Sequence, residues 1–326
     1  MTKKMSGDEG AATGEFGFIA RHFRPLAGAE SLDLRDDCAL MRCPEGEEFA
    51  ISTDTMVENV HFLPDDPPET LGRKLLRCNL SDLAAMGARP HAYTLNVTVP
   101  RGERHDENWF AAFSRGLAND QKRYGVHLIG GDTTSISGPL VLSATVFGLL
   151  RHNTALRRST ARPGDDIWVT GTIGDAALGL LVLQSKLQDP SGFLAERYHL
   201  PRPRTGLHLH GIVNAAMDIS DGLVQDCGHI AEESGVQLVL DAPAVPTSPA
   251  AASMGQEWLM RRLCGGDDYE LLLTCTPERS EALQAACQSV DIPVHRVGTV
   301  RAGSGVRVLD AEEHEIIPEQ GGWQHF

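Results

Sequence analysis

Ile51-Ser52-Thr53-Asp54-Thr55-Met56-Val57 follows Glu48-Phe49-Ala50 and reads as a β-strand running into a polar end. Asp54 falls where strands of α/β proteins present ligand-binding groups. Four other segments set an Asp among small or apolar residues. They are Asp36-Asp37-Cys38-Ala39, Ser81-Asp82-Leu83-Ala84-Ala85, Gly130-Gly131-Asp132-Thr133-Thr134 and Asp218-Ile219-Ser220-Asp221-Gly222. Apart from Arg35 beside the first, none has a basic partner in its own segment. A carboxylate in apolar company is costly to bury unless something neutralises it. Hard divalent cations do so, and they take oxygen ligands.

Outward from this strand, helices and strands alternate. The spacing predicts a helix over 15–23, strands over 38–41 and 49–53, and a long helix over 68–86 entered through Pro67-Pro68 and closed by Gly87. Asp82 then lies near a helix C-terminus, the wrong end for an anion on dipole grounds, which points to a cation nearby. A strand over 92–99, a helix over 106–124, a short strand over 127–129 leading into Gly130-Gly131-Asp132, and a strand over 140–150 follow. The polar, Arg-rich stretch 152–164 carries Pro163-Gly164 and marks a domain seam. Beyond it come a strand (166–170), helices (175–186, 205–213), a loop at Asp218, a helix (223–234) and a strand (236–240). After a Pro/Ala/Ser loop the pattern gives a strand (269–274), a helix (278–289) and strands (294–300, 306–309). The class is α/β (α+β) with two domains, residues 1–150 and 151–326.

The chain has 326 residues, 41% of them hydrophobic, enough for two cores. Its formal charge of −15 excludes the basic footprint of a nucleic-acid binder and favours solubility. Met1-Thr2-Lys3-Lys4 has no apolar run behind it, so no signal peptide is expected, and no stretch approaches the ~20 apolar residues of a membrane helix. Residues to about Gly14 are polar and small, as in a loose terminus. Seven scattered cysteines without a Cys-x-x-Cys pair fit a reduced cytoplasmic protein and argue against zinc.

Gly130-Gly131-Asp132 offers paired glycines for close phosphate approach and a carboxylate for a bridging metal; a plain turn would use the same residues. Asp218 and Asp221 stand three apart at a helix entrance, where an N-cap accounts for one acid and not both. Gly171-Thr172-Ile173-Gly174 lacks the spacing of a dinucleotide fingerprint and reads as a tight turn. No Walker loop and no protein-kinase signature is present. Gly265-Gly266-Asp267-Asp268-Tyr269-Glu270 reads either as a hairpin turn or as a substrate contact. The terminal Gly322-Trp323-Gln324-His325-Phe326 either frays or caps a pocket, and His61 sits in a loop after Glu58-Asn59-Val60.

These segments, with Asn79-Leu80-Ser81-Asp82-Leu83-Ala84-Ala85-Met86-Gly87-Ala88, occur in the order found in the thiamine-monophosphate kinase family, which the chain resembles from Gly14-Glu15-Phe16 to Phe326. The resemblance implies the aminoimidazole ribonucleotide synthetase-like fold. In it the N-terminal α/β domain dimerises through its sheet and carries ATP and metal, and the C-terminal α+β domain completes both sites. It implies ATP as co-substrate, several Mg²⁺ ions, thiamine monophosphate as substrate and a homodimer. Carried over by motif, Asp37, Ser52, Thr53, Asp54, Asp82, Asp132, Asp218 and Asp221 would hold metal, with Asp54, Asp82, Asp132 and Asp218 central to catalysis. Tyr124, Gly131, Asp132, Arg158 and Ser220 would contact ATP. His61, Asp267 and Trp323 would contact thiamine monophosphate. Two positions depart from the family pattern. Arg35 replaces a Gly, and strains the turn if that Gly has positive φ. Asp267 replaces a Glu, one methylene shorter, which implies a water bridge to the substrate.

A phosphate monoester has its second pKa near 6 and is already mostly dianionic at pH 7, so as an acceptor it needs charge neutralisation rather than a general base. Within the superfamily, selenophosphate synthetase would call for a reactive N-terminal Cys, and the hydrogenase-maturation carbamoyl dehydratase for a C-terminal one. Cys38, read within a strand, and the terminal Phe326 match neither. A non-catalytic binder of nucleotide or thiamine phosphate is the remaining alternative, separable by ATP turnover.

Overall fold

The computed structural model describes residues 15–102, 104–317 and 321–323. The N-terminal stretch to Gly14 and the last three residues of the terminal aromatic motif lie outside them. The first half holds α1 (Glu15–His22), β1 (Glu47–Val57), α2 (Pro68–Ala85), β2 (Arg89–Pro100), α3 (Glu107–Tyr124), β3 (His127–Ile136) and β4 (Val141–Arg151). Its four strands form one sheet in the order β1-β4-β2-β3, with β2 and β3 parallel and the other pairs antiparallel. Helices α2 and α3 cover one face. Leu75, Leu76, Leu80 and Phe113 from the helices pack there on Tyr93, Leu95, Leu142 and Val146 from the strands. The other face carries the half-buried or exposed Ile51, Thr53, Thr55, Thr145 and Phe147.

The second half holds β5 (Asp166–Thr170), α4 (Asp175–Leu183), α5 (Phe193–His199), β6 (Ala215–Ile219), α6 (Leu223–Ser234), β7 (Gln237–Asp241), α7 (Pro249–Ala252), α8 (Leu259–Cys264), β8 (Glu270–Cys275), α9 (Ser280–Gln288), β9 (Val294–Arg301), β10 (Gly305–Leu309) and β11 (Glu315–Ile316). Its strands form a seven-stranded mixed sheet, β11-β10-β7-β9-β5-β8-β6. Helix α2 joins the halves. It is buried on almost every side, and while its leucines enter the first core, Ala84 and Ala85 enter a second one with Trp168 and Leu271. A helix buried all round sits between layers rather than on a surface.

Four expectations are corrected. Residues 38–41 are an exposed irregular segment, because no strand pairs with them among the described residues and the sheet begins at Glu47. Residues 205–213 form no helix; their apolar side chains pack into the core from irregular backbone, as the buried Leu207 and Leu209 show. Asp218 lies within strand β6, not in a loop, bonded in register opposite Leu271. Strand β3 does not stop at Ile129 but runs through Gly130-Gly131-Asp132, with a register shift beside Tyr93/Thr94. Gly131 is needed there because its φ is +153° and a Cβ would lie 1.8 Å from the Leu95 carbonyl oxygen. The close approach is to a neighbouring strand. Arg35 has φ −114°, so its replacement of Gly strains nothing; the positive φ values fall on Leu32, Asp33 and Leu34.

Candidate active site

Alternation along β1 turns Ser52, Asp54 and Met56 toward α2 and leaves Ile51, Thr53 and Thr55 on the opposite face. The Asp54 backbone N–H donates to Asn79 Oδ1 at 3.0 Å, and Ser52 Oγ donates to Asp82 Oδ2 at 2.5 Å. One strand and one helix thus set two carboxylates side by side. Strand β6 brings Asp218 up from the second half, and the turn into α6 brings Ser220 and Asp221. The segment before β8 packs onto that turn. Asp267 and Tyr269 N–H donate to the Ser220 and Ile219 carbonyls, each at 2.8 Å, and a Cβ on Gly266 would lie 2.3 Å from Ser220 O. This segment follows helix α8, so it is not a hairpin turn.

Between these parts lies a cavity of about 550 Å³. Asp54, Asp82, Asp218 and Asp221 line it together with Ser220. His61, Asp267 and Trp323, expected at the substrate, line it too. His61 Nδ1 accepts from Val57 N–H at 3.0 Å, and Trp323 N–H donates to the Asp221 carbonyl at 3.1 Å, tying the C-terminal segment to the site.

Asp37, Tyr124, Gly131, Asp132 and Arg158 are not among the lining residues. Asp37 lies in the exposed segment ahead of β1, and Tyr124 packs on the first core at the end of α3. Gly131 is level with Asp54 three strands away, about 14 Å at ~4.8 Å per strand, so in one chain Asp132 and Asp54 do not share an ion. Thr53 Oγ1 donates to the Ala144 carbonyl at 3.0 Å on the far face. Arg158 lines a second cavity of about 400 Å³ with Phe49, Met86 and Arg157, yet its charge reaches Asp82 and favours that carboxylate's ionised form.

Burial, then the charges of Asp82 and Asp221, push the Asp54 carboxyl up to about 6. Burial, then Asp82, with Asp54 adding, push Asp218 to about 7. Burial also raises Asp82 against the Ser52 hydrogen bond and Arg158. Buried carboxylates facing one another disfavour ionisation. An all-oxygen donor set with surplus negative charge fits a hard divalent cation such as Mg²⁺.

Folded, Asp54 and Asp218 keep protons that the unfolded chain gives up near 3.8, so they remove stability as pH rises from there toward about 7. In metal-free protein Asp218→Asn, which lacks that titration, should gain on wild type across this window in melting temperature. A gap that narrows with rising pH would refute the sign.

Three features escaped sequence reasoning. Lys74 lies buried on α2, its Nζ 2.8 Å from Asp267 Oδ2 and 3.7 Å from the centre of the Tyr198 ring. Burial works to lower its pKa, but Asp267, Tyr198 and Cys78 together outweigh it and the ammonium is held charged. Asp226 and His229 on α6 converge with Asp221, their ligand atoms within 4.8 Å of one another. Asp226 Oδ2 also accepts from Asp221 and Gly222 N–H, both at 3.2 Å. Behind the 265–269 segment, Glu270 is fully buried and accepts from Arg197 Nη2 at 3.1 Å and from Arg204 Nε and Nη2 at 2.5 Å each. Local sequence gave one signal: Asp226 and His229 stand three apart on α6 and so share a helix face.

Fold and site define a two-domain protein of the AIR synthase type. Residues 35–150 match the family AIR synthase related protein, N-terminal domain, and residues 162–311 match its C-terminal domain. The chain is 43% identical to the thiamine-monophosphate kinase of Salmonella typhimurium, covering 97% of this chain and 99% of that one. The crystal structure of the thiamine-monophosphate kinase from Stenotrophomonas maltophilia superposes with a TM-score of 0.80 at 39% identity, covering 90% of this chain and 95% of that one. AaThiL complexed with AMPPCP and TMP superposes with a TM-score of 0.75 at 29% identity, covering 96% and 97%. The chain belongs to the thiamine-monophosphate kinase family.

Proposed function

We propose that this protein phosphorylates thiamine monophosphate to thiamine diphosphate at the expense of ATP, by direct in-line transfer. The observation that carries the reading is one cavity lined both by the carboxylate cluster and by His61, Asp267 and Trp323. Such a site has carboxylates to gather cations against phosphates and side chains to hold a ring system. Trp323 offers a face to the cationic thiazolium, a contact worth roughly 0.5–2 kcal/mol.

Asp54, Asp82, Asp218 and Asp221 would hold Mg²⁺, with Ser52 bonded to Asp82 beside them; Asp37, Thr53 and Asp132 are family ligand positions that one chain does not bring to this cluster. Bound there, Mg²⁺ supplies charge neutralisation to the meeting phosphates. Tyr124, Gly131, Asp132, Arg158 and Ser220 form the ATP contacts in this reading. Arg158 is supported by its electrostatic reach to Asp82. The dianionic acceptor needs no proton removed. Cys78 lines the cavity, but burial pushes its thiol up, so it stays protonated and is no phosphoryl acceptor.

The division of labour is residues 1–150 for ATP, metal and subunit contact, and 151–326 to complete both sites. Two copies would pair through the open face of the first sheet, where Ile51 is 60% exposed. The reading places the enzyme in the cytoplasm, where its seven free cysteines stay reduced.

A coupled ADP-release assay tests the function. Thiamine monophosphate should drive Mg²⁺-dependent ADP release, and thiamine or unrelated phosphate monoesters should not. γ-labelled ATP should leave no label on the protein. A labelled phosphoenzyme, or equal turnover with thiamine, would overturn the reading.

A further inference from the structure

We propose that Lys74 and Asp267 together read the donor–acceptor edge of the substrate's 4-aminopyrimidine ring, with Lys74 as a specificity-determining residue. This rests on the function proposed above and assigns the substrate's direction in the cavity.

Lys74, Cys78 and Asp82 stand at i, i+4 and i+8 on α2, and all three line the cavity. They form one stripe on one helix face. Eight residues of helix span about 12 Å, the order of length of a two-ring phosphate ester. Asp82 marks the end where the carboxylates cluster. Lys74 marks the other.

At that end a buried cation is matched by a single carboxylate. The Lys74 side chain is 3% exposed, and its Nζ donates to Asp267 Oδ2 at 2.8 Å. A second N–H has the Tyr198 ring face beneath it. An ammonium has three donors, and among the described residues none takes the third, which leaves it for an occupant of the cavity. Asp267 has a side chain 32% exposed, one oxygen bound to Lys74 and the other available. Its segment is pinned to Ser220, so the carboxylate cannot swing away freely. The result is an N–H donor and a carboxylate acceptor side by side on one wall.

A 4-aminopyrimidine presents the complement, an exocyclic amine that donates beside a ring nitrogen that accepts. The phosphate is excluded from this end, because Asp267 already cancels the Lys74 charge and would repel a dianion. A site built to hydrogen-bond a substrate group rejects an analogue that reverses it, because the site's own polar groups are left unpaired.

The test uses the full protein with Mg²⁺-ATP and two substrates, thiamine monophosphate and its 4-oxo analogue, in which the amine donor becomes a carbonyl acceptor. Wild type should prefer the amine by 10² or more in kcat/KM, chiefly through KM, as such sites do. Asp267→Asn, whose amide can donate to the carbonyl, should narrow the preference at least about tenfold without abolishing it, because the analogue's ring N–H still faces the Lys74 ammonium. Lys74→Met should raise KM for thiamine monophosphate and leave KM for ATP unchanged. The wild-type comparison needs no variant to fold. Equal use of both substrates by wild type would sink the inference and leave the function standing. Turnover of neither would sink the function and this inference with it.

Discussion

Asp82→Asn should lower turnover by about 10² or more while the metal-free protein melts at or above wild type. The asparagine keeps the side chain's shape and can still accept from Ser52 Oγ, so the β1–α2 contact survives. What goes is a half-buried negative charge. After burial, Asp82 is the largest influence raising both Asp54 and Asp218, so its removal relieves both. In the proposed site the same change removes a metal ligand, so the stability that Mg²⁺ and ATP add by mass action should shrink with it. A structural carboxylate behaves in the reverse way. Melting curves with and without Mg²⁺ and ATP decide: a mutant that melts well below wild type without ligand, yet gains the full ligand shift, places the site elsewhere.

Glu270→Ala should destabilise the fold by about 3–5 kcal/mol, the cost of breaking a buried ion pair from one side. The carboxylate accepts from Arg197, Arg204 and Thr170 Oγ1. Arg197 is itself 2% exposed and has no water to turn to. Glu270→Gln keeps one acceptor oxygen and should lose less. Affinity for thiamine monophosphate should fall as well, because Glu270 heads β8 and the segment holding Asp267 runs directly into it. Urea unfolding of both variants gives the comparison. A loss under about 1 kcal/mol would mean that the two arginines re-pair.

Much of the fold was legible because its strands and helices carry their own periodicity. β1, β2, β4 and α3 each bury alternate or 3.6-spaced residues, and the sequence shows that spacing directly. Ala39-Leu40-Met41 misled because apolar content without a partner strand makes no sheet. The stretch 205–213 misled because Leu207, Leu209 and Val213 are buried by tertiary packing, which imitates helical spacing. The carboxylates of the site were visible as acids in small-residue settings that no neighbour in sequence could neutralise. Lys74 was not, because a lone lysine in a helix reads as solvated face. Asp267, 193 residues away, and the Tyr198 ring make its burial tolerable.

Helix α2 also limits how the enzyme can move. Its leucines are fixed in the first core and its Ala84 and Ala85 in the second, so it is a beam seated in both halves. A clamshell opening would have to pull that beam from one seat, exposing its buried Arg77, Asn79 and Ser81. Substrate entry is therefore left to the rim, to the turn around His61 and the segment at Trp323. Lys74 and Asp82 stand on this one helix, so the spacing between them is set by the helix itself, and in the proposed binding mode α2 is the gauge against which substrate length is measured.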